Sequence, residues 1–322
     1  MNKKTSLKLF YETLRIRIVE ETISKKYHQQ EMRCPVHLSI GQEAVPVGIS
    51  TNLLAEDKIV TAHRSHAHYL AKGGSLKRMI AELYGKETGC AGGKGGSMHL
   101  VDEKAGIQAA VPIVGSTIPI GVGISWAMKL NKKKNLVVIY FGDGATEEGV
   151  FLESMDFASL HSLPCLFVCE DNNFSVYSGL NKRQSAKRSV VKIAQAIGLD
   201  AISMDGNNVF DVYQKTNNII NNIRKKKRPY LIHFKTFRHL EHCGPNNDDF
   251  LKYRSKAYIK YWMNKCPIKL SKKFLKKKYN LNDNEFSKIE KKIIKEVNQA
   301  FVFAKKSNFP KLKKLKKDIY AR

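Results

Sequence analysis

At 322 residues the chain is long enough to bury a large core, as one domain or two. Its 43% hydrophobic content is ordinary for a folded domain, and no apolar run approaches the ~20 residues of a membrane span. The net charge of +27 is concentrated late, with 19 Lys+Arg against 5 Asp+Glu in residues 265–322. A run of this kind reads first as a solvated face, second as a surface for an acidic partner protein, and last as a nucleic-acid site, because no DNA- or RNA-binding motif accompanies it. Six scattered cysteines without a CxxC pair fit reduced thiols. The start, MNKKTSLKLFYETL, has no apolar segment of the secretory kind and is too short for a transit peptide before the first helix. A cytoplasmic protein is expected, with neither a membrane nor a nucleic-acid partner.

In chain order, Leu7, Phe10, Leu14 and Ile18 give residues 6–23 one apolar helical face. Residues 32–48 read as a turn leading into a helix. Residues 63–74, HRSHAHYLAKGG, bring three histidines close in sequence. A zinc site on His63, His66 and His68, and with it a metal-dependent hydrolase, is one reading, but no acid accompanies the spacing. Residues 85–97, GKETGCAGGKGGS, read as a mobile surface loop, since no strand precedes them as a nucleotide fingerprint requires. An unusually apolar helix is expected over residues 113–127, with Gly121 and Gly123 opening a stretch that packs closely on a sheet.

The most informative stretch is residues 136–174, LVVIYFGDGATEEGVFLESMDFASLHSLPCLFVCEDNNF. A β-branched and aromatic run ends at Gly142-Asp143-Gly144. A helix follows, with Phe151, Met155 and Ala158 on one face. Pro164 stops it, and a second buried-strand run ends at Glu170-Asp171-Asn172-Asn173. In such a βαβ unit the polar residues sit at the carboxyl ends of parallel strands, where open α/β sheets bind ligands. Gly142 and Gly144 allow close backbone approach to phosphate, and Asp143 with an Asn amide oxygen offers hard ligands to Mg²⁺. Glu147 and Glu148 read as complementing the dipole of the following helix. Residues 175–190 read as loop. Strands are expected at 201–204 and 229–234, helices at 191–197, 209–224 and 285–306, and a polar loop with His239, His242 and Cys243 at 238–249. The alternation argues an α/β fold: three-layer αβα around a mainly parallel sheet.

The order GDG…NN is similar to the thiamine diphosphate motif. The chain as a whole resembles the α subunit of 2-oxo acid dehydrogenase E1 components, the pyruvate and acetoin dehydrogenase group. HLSIGQEAVPVG (37–48), HRSHAHYLAKGG (63–74), GKGGSMHL (93–100), IVGSTIPIGVG (113–123) and KTFRHLEHCGP (235–245) carry the rest of the resemblance, over about residues 7 to 310. It implies one domain over 1–322, with a core at about 7–250 and a basic helical tail at 251–322. It implies Mg²⁺ on Asp143, Asn172 and the Phe174 carbonyl, and a diphosphate bound by Arg64, His242 and the Gly142–Ala145 turn. The other register would make Asn173 the metal ligand. Asp171 replaces the family's usual first Asn. The Pro112 carbonyl and the Val114 N–H would meet the aminopyrimidine ring. His63 stands where the family often has Tyr, and His37 would reach the 2-oxo acid, so His37 and His242 are the catalytic candidates. Cys243 replaces the serine phosphorylated in mitochondrial relatives.

The family's activating glutamate belongs to a separate β subunit. The resemblance therefore implies an α₂β₂ heterotetramer, with pyruvate as the default substrate and transfer to a lipoyl acyltransferase (E2) or another acceptor. Acetoin-type or sugar-derived 2-oxo substrates, and a basic interaction protein on a degenerate fold of this kind, are the alternatives.

Overall fold

Val137–Phe141 and Cys165–Cys169 contain no charged side chain, and both runs are buried on both faces. That pattern belongs to the centre of a parallel sheet covered by helices. In the computed structural model of the chain, which describes residues 1–315, they are the two central strands. The elements run α1 (Lys3–Tyr27), α2 (Ala44–Ser50), β1 (Lys58–Thr61), α3 (His66–Ala71), α4 (Leu76–Leu83), β2 (Ile107–Ala110), α5 (Thr117–Leu130), β3 (Val137–Gly142), α6 (Gly149–Leu160) and β4 (Cys165–Asp171). They continue with β5 (Phe174–Ser175), β6 (Ser178–Gly179), α7 (Leu180–Arg183), α8 (Val190–Ala196), β7 (Asp200–Asp205), α9 (Val209–Lys226), β8 (Tyr230–Lys235), α10 (Lys256–Asn264), α11 (Pro267–Tyr279), α12 (Asp283–Lys306) and α13 (Leu312–Leu315).

Six strands pair in parallel in the order β2-β1-β3-β4-β8-β7. Alternate strand residues feed two apolar layers. Val138, Tyr140, Leu166, Val168, Ile232 and Phe234 pack with α1, α2 and α9. Val137, Ile139, Phe141, Phe167, Cys169 and Leu231 pack with α5, α6 and α8. This is the three-layer α/β architecture expected. The basic segment joins it: Leu275 of α11 and Phe286, Ile293 and Val297 of α12 lie in the first of these layers. Their lysines stay outside while the apolar stripe faces inward. Residues 316–322, part of the expected tail, lie outside the described residues. Among the described residues no helix is long and apolar enough to cross a membrane.

Several local expectations change. Strands β1 and β2 were not anticipated, because four residues are too short to show a period. The apolar helix begins at Thr117, so Ile113 and Val114 sit in the turn before it. Gly121 and Gly123 lie within this helix and differ. A Cβ on Gly121 would come 2.5 Å from Ile139, whereas Gly123 faces open space. Residues 175–190 hold the β5–β6 hairpin and α7. A 3-10 turn, Asp143–Glu147, precedes α6, so Glu147 lies outside that helix.

The glycine-rich segment is anchored. Glu82 of α4 is buried, and its carboxylate accepts N–H groups from Ala91, Gly93, Gly95 and Gly96 at 2.7–3.2 Å. The loop after β8 is fastened too. Gly244 N–H donates to Val36 C=O (2.8 Å) and His239 N–H to Ile40 C=O (2.9 Å), laying residues 237–244 along residues 36–41. Gly41 takes φ +100°, and a side chain there would strike the Phe237 carbonyl and the His239 ring.

Two stability predictions follow from these anchors. Glu82→Ala leaves four N–H groups without their acceptor and should destabilise the chain by about 3 kcal/mol in urea unfolding. Burial, and then the Arg17 charge, push the His239 imidazole down to about 4. The unfolded chain takes up that proton first, so stability falls as pH drops from about 6.5 toward 4. His239→Gln should make that decline shallower by up to about 1.4 kcal/mol per pH unit, read from urea midpoints across the window.

Candidate functional site

Parallel strands direct their free carbonyl ends to one edge of the sheet, and loops from several elements meet there. At that edge a cavity of about 200 Å³ opens between the ends of β1, β3 and β4. Residues 36–43 and the loop after β8 close its side. His37, His63, Arg64 and His242 line one part of it. Gly142, Asp143, Gly144 and Ala145 line another, with Asn172 and Phe174 beside them. Pro112 and Val114 stand at its rim, Val114 half-exposed. The catalytic, cofactor and metal candidates that the resemblance implied therefore line one cavity, whereas Asn173, His66, His239 and Cys243 do not line it.

Arg64 is buried, and its guanidinium donates to two backbone carbonyls, Leu38 (2.5 Å) and His242 (3.2 Å). Among the described residues no carboxylate hydrogen-bonds to it. Burial, reinforced by the nearby Arg238 charge, lowers its pKa to about 9. A cation so placed favours an anion in the cavity.

Asp143 opens the 3-10 turn after β3 and is buried. Burial, and then the Asp171 charge, raise its carboxyl to about 6. Its Oδ2 receives a hydrogen bond from Arg183 of α7, which also binds Glu147. Here a guanidinium occupies the position of a cation on the carboxylate. Nearby, Asn172 Oδ1 accepts the Phe174 N–H (3.2 Å). Asn173 is not among the residues lining the cavity; at φ 72° its N–H donates to Asp171 Oδ1 (2.7 Å) and its carbonyl accepts from Leu180 (3.1 Å). The Asp143 carboxylate and the Asn172 amide oxygen, lining one cavity, are hard-oxygen donors of the kind Mg²⁺ takes. A Cβ at Gly142 would meet no protein atom within 4 Å, so it would project into space that the glycine keeps open. These residues fit a diphosphate carried with a metal ion.

The histidines sort differently from their order in sequence. His66 is fully buried, 2.7 Å from Ser97 Oγ and 3.2 Å from Glu20. His68 lines the cavity too, but it is buried and its ring is held 2.7 Å from Thr61 Oγ1, 3.0 Å from Glu170 and against the Tyr140 ring. A zinc site on His63, His66 and His68 is thereby ruled out, because two of the three rings are held by other groups. His63 instead meets His37 and His242, with ring centroids 4.8 and 5.3 Å away. Burial first, then the Arg64 charge, lower all three imidazoles, His37 to about 4 and His242 to about 3. Each is therefore neutral at pH 7 and able both to donate and to accept a hydrogen bond.

Sequence reasoning missed Arg183 and Gln42, whose Oε1 is 3.5 Å from Asn172 Nδ2. The GQEA run flagged the latter only as part of a motif. It also missed His233 on β8, which holds Asp171 at 3.0 Å and reaches Ser203 on β7 at 3.1 Å. Asp171 thus points sideways along the sheet, leaving Asn172 toward the cavity.

The dehydrogenase E1 component family matches residues 11–313. The chain is 31% identical over 318 residues to a pyruvate dehydrogenase E1 component subunit alpha of Rickettsia bellii, covering 99% of this chain and 96% of the relative. It is 32% identical over 321 residues to the alpha subunit of an acetoin:2,6-dichlorophenolindophenol oxidoreductase of Bacillus subtilis, covering 99% and 95%. A pyruvate dehydrogenase E1 component subunit alpha of Porphyra purpurea is 30% identical over 328 residues, covering 100% and 94%. Coverage is nearly end to end, and the stretches that line the cavity are those that carry the resemblance. The chain belongs to the dehydrogenase E1 component family.

Proposed function

We propose that this chain is the α subunit of a thiamine diphosphate-dependent E1 enzyme that decarboxylates a 2-oxo acid and passes the acyl group to a lipoyl group or another acceptor. The observation that carries the reading is the buried Arg64, to which no carboxylate among the described residues hydrogen-bonds, in the same cavity as Asp143 and Asn172. Asp143, Asn172 and the Phe174 carbonyl would hold Mg²⁺. Arg64 and His242 would answer the diphosphate, with the Gly142–Ala145 turn against it. Pro112 C=O and Val114 N–H would meet the ring. Bound there, thiamine diphosphate supplies the carbanion chemistry. His37 and His242, neutral at pH 7, would orient the 2-oxo acid and place a proton without adding charge. Exclusion of water from the bound cofactor would favour that chemistry. Pyruvate is the default substrate; the names of the relatives favour pyruvate or acetoin chemistry.

A β subunit completes the site in this reading, within an α₂β₂ assembly that can serve a lipoyl acyltransferase. Ile113, Trp126, Leu130, Leu152 and Leu160 are 41–77% exposed around the rim turn, α5 and α6. So much apolar surface beside a cavity suits an obligate interface. Six free cysteines are in keeping with a reducing cytoplasm.

Asp143→Ala should weaken Mg²⁺-dependent thiamine diphosphate binding by about 100-fold or more, about 2.8 kcal/mol, in a circular dichroism titration with the β subunit present. Unchanged affinity would refute the metal assignment. Asn172→Ala should weaken the cofactor far more than Asn173→Ala, and the reverse order would move the metal ligand by one residue. The purified chain alone should show no 2-oxo acid decarboxylation with an artificial electron acceptor, and activity should appear on adding the β subunit. Full turnover by the lone chain would overturn the shared site.

A further inference from the structure

His37, His63 and His242 come from three separate segments, yet their nitrogen ligand atoms all lie within 4.8 Å of one another. His37 stands edge-on to the other two rings, at 69° to His63 and 87° to His242, and the His63–His242 pair is tilted at 49°. His37 Nδ1 is buried without a hydrogen-bond partner among the described residues, a state that costs free energy unless a ligand relieves it. Neutral imidazoles suit zinc, and tetrahedral Zn²⁺ at about 2.05 Å from each nitrogen separates its ligands by about 3.3 Å. A closure of roughly 1.5 Å by side-chain rotation would bring the three nitrogens to that spacing. All three residues line the cavity.

We propose that, in the cofactor-free chain, His37, His63 and His242 form a three-imidazole site for a divalent transition ion of the zinc class, which occupies the cavity in place of the cofactor. The site is distinct from the Asp143–Asn172 oxygen pair, which offers hard oxygens suited to Mg²⁺. Soft-borderline and hard cations therefore go to different residues lining one cavity. Arg64 is the charge that opposes occupancy, so an anion such as chloride or phosphate completes the coordination and offsets it. The consequence is a metal-sensitive subunit: zinc-class ions exclude the diphosphate, and a loaded cofactor protects the histidines.

The test uses Co²⁺ as a spectroscopic substitute for Zn²⁺, added to the full chain free of cofactor in chloride buffer. One Co²⁺ per chain should bind with the intense visible bands of tetrahedral geometry, and Zn²⁺ should bleach them. His63→Phe and His242→Gln should each weaken Zn²⁺ at least tenfold by calorimetry. His28→Gln, outside the cluster, should leave it unchanged. Far-ultraviolet circular dichroism identifies any variant that fails to fold, and His37→Gln then takes its place. Undiminished Zn²⁺ affinity in the folded cluster variants, or only the weak bands of octahedral Co²⁺, would overturn the proposal. Thiamine diphosphate with Mg²⁺ should displace the tetrahedral signal. A tetrahedral signal lost in the cluster variants supports the three-imidazole site even if the chain binds no thiamine diphosphate, an outcome that would count against the cofactor reading instead. Cofactor binding without a tetrahedral Co²⁺ signal would reject the metal site while leaving the cofactor reading intact.

Discussion

One buried guanidinium organises the site. Arg64 follows β1, and its two hydrogen bonds reach the Leu38 and His242 carbonyls, in segments separated by about two hundred residues of chain. It therefore pins residues 36–43 and the loop after β8 around the end of β1. Because both acceptors are neutral carbonyls, the positive charge is left to the cavity. The same charge helps keep the neighbouring imidazoles neutral. Burial is the larger cause of that neutrality and the Arg64 charge the second, so geometry and charge at this wall act together on protonation state.

The interior carries carboxylates as structural acceptors. Glu20 receives the Ser39 N–H at 2.8 Å, Glu43 receives Arg17 and the Gly41 N–H, and Glu82 gathers the glycine-rich segment. All three side chains are 0% exposed. Each ties irregular backbone, which has no ladder of its own, to a helix or its cap. The cost of burying a charge is offset by several hydrogen bonds from N–H groups or a guanidinium. Acids placed inside in this way leave a surface more basic than composition alone requires. The lysines of α11 and α12 are mainly the outer face of helices whose inner faces complete the core.

Arg183 lends the Asp143 wall its cation. The β5–β6 hairpin and α7 carry it over the carboxylate, where it also holds Glu147. The turn after β3 is therefore braced by a segment that local patterning leaves without form. Asp171, held sideways by His233, adds negative charge behind the same turn.

The sequence by itself determined the strand–turn–helix–strand unit over residues 136–174, the three-layer architecture and the site candidates at the strand ends. Those signals are local: uninterrupted β-branched runs, glycines at a turn, a proline that stops a helix and polar residues just beyond it. Tertiary structure alone decided which histidines meet. His63, His66 and His68 are neighbours in the chain, but the turn into α3 ties His66 to Glu20 and Ser97 and His68 to Glu170, and leaves His63 to meet His37 and His242. It alone brought Arg183 to Asp143, Glu82 to the glycine-rich segment and the loop after β8 to residues 36–41. Each of these pairings closes a long or irregular stretch of backbone whose partner is set by packing. No periodic pattern of side chains records such a choice.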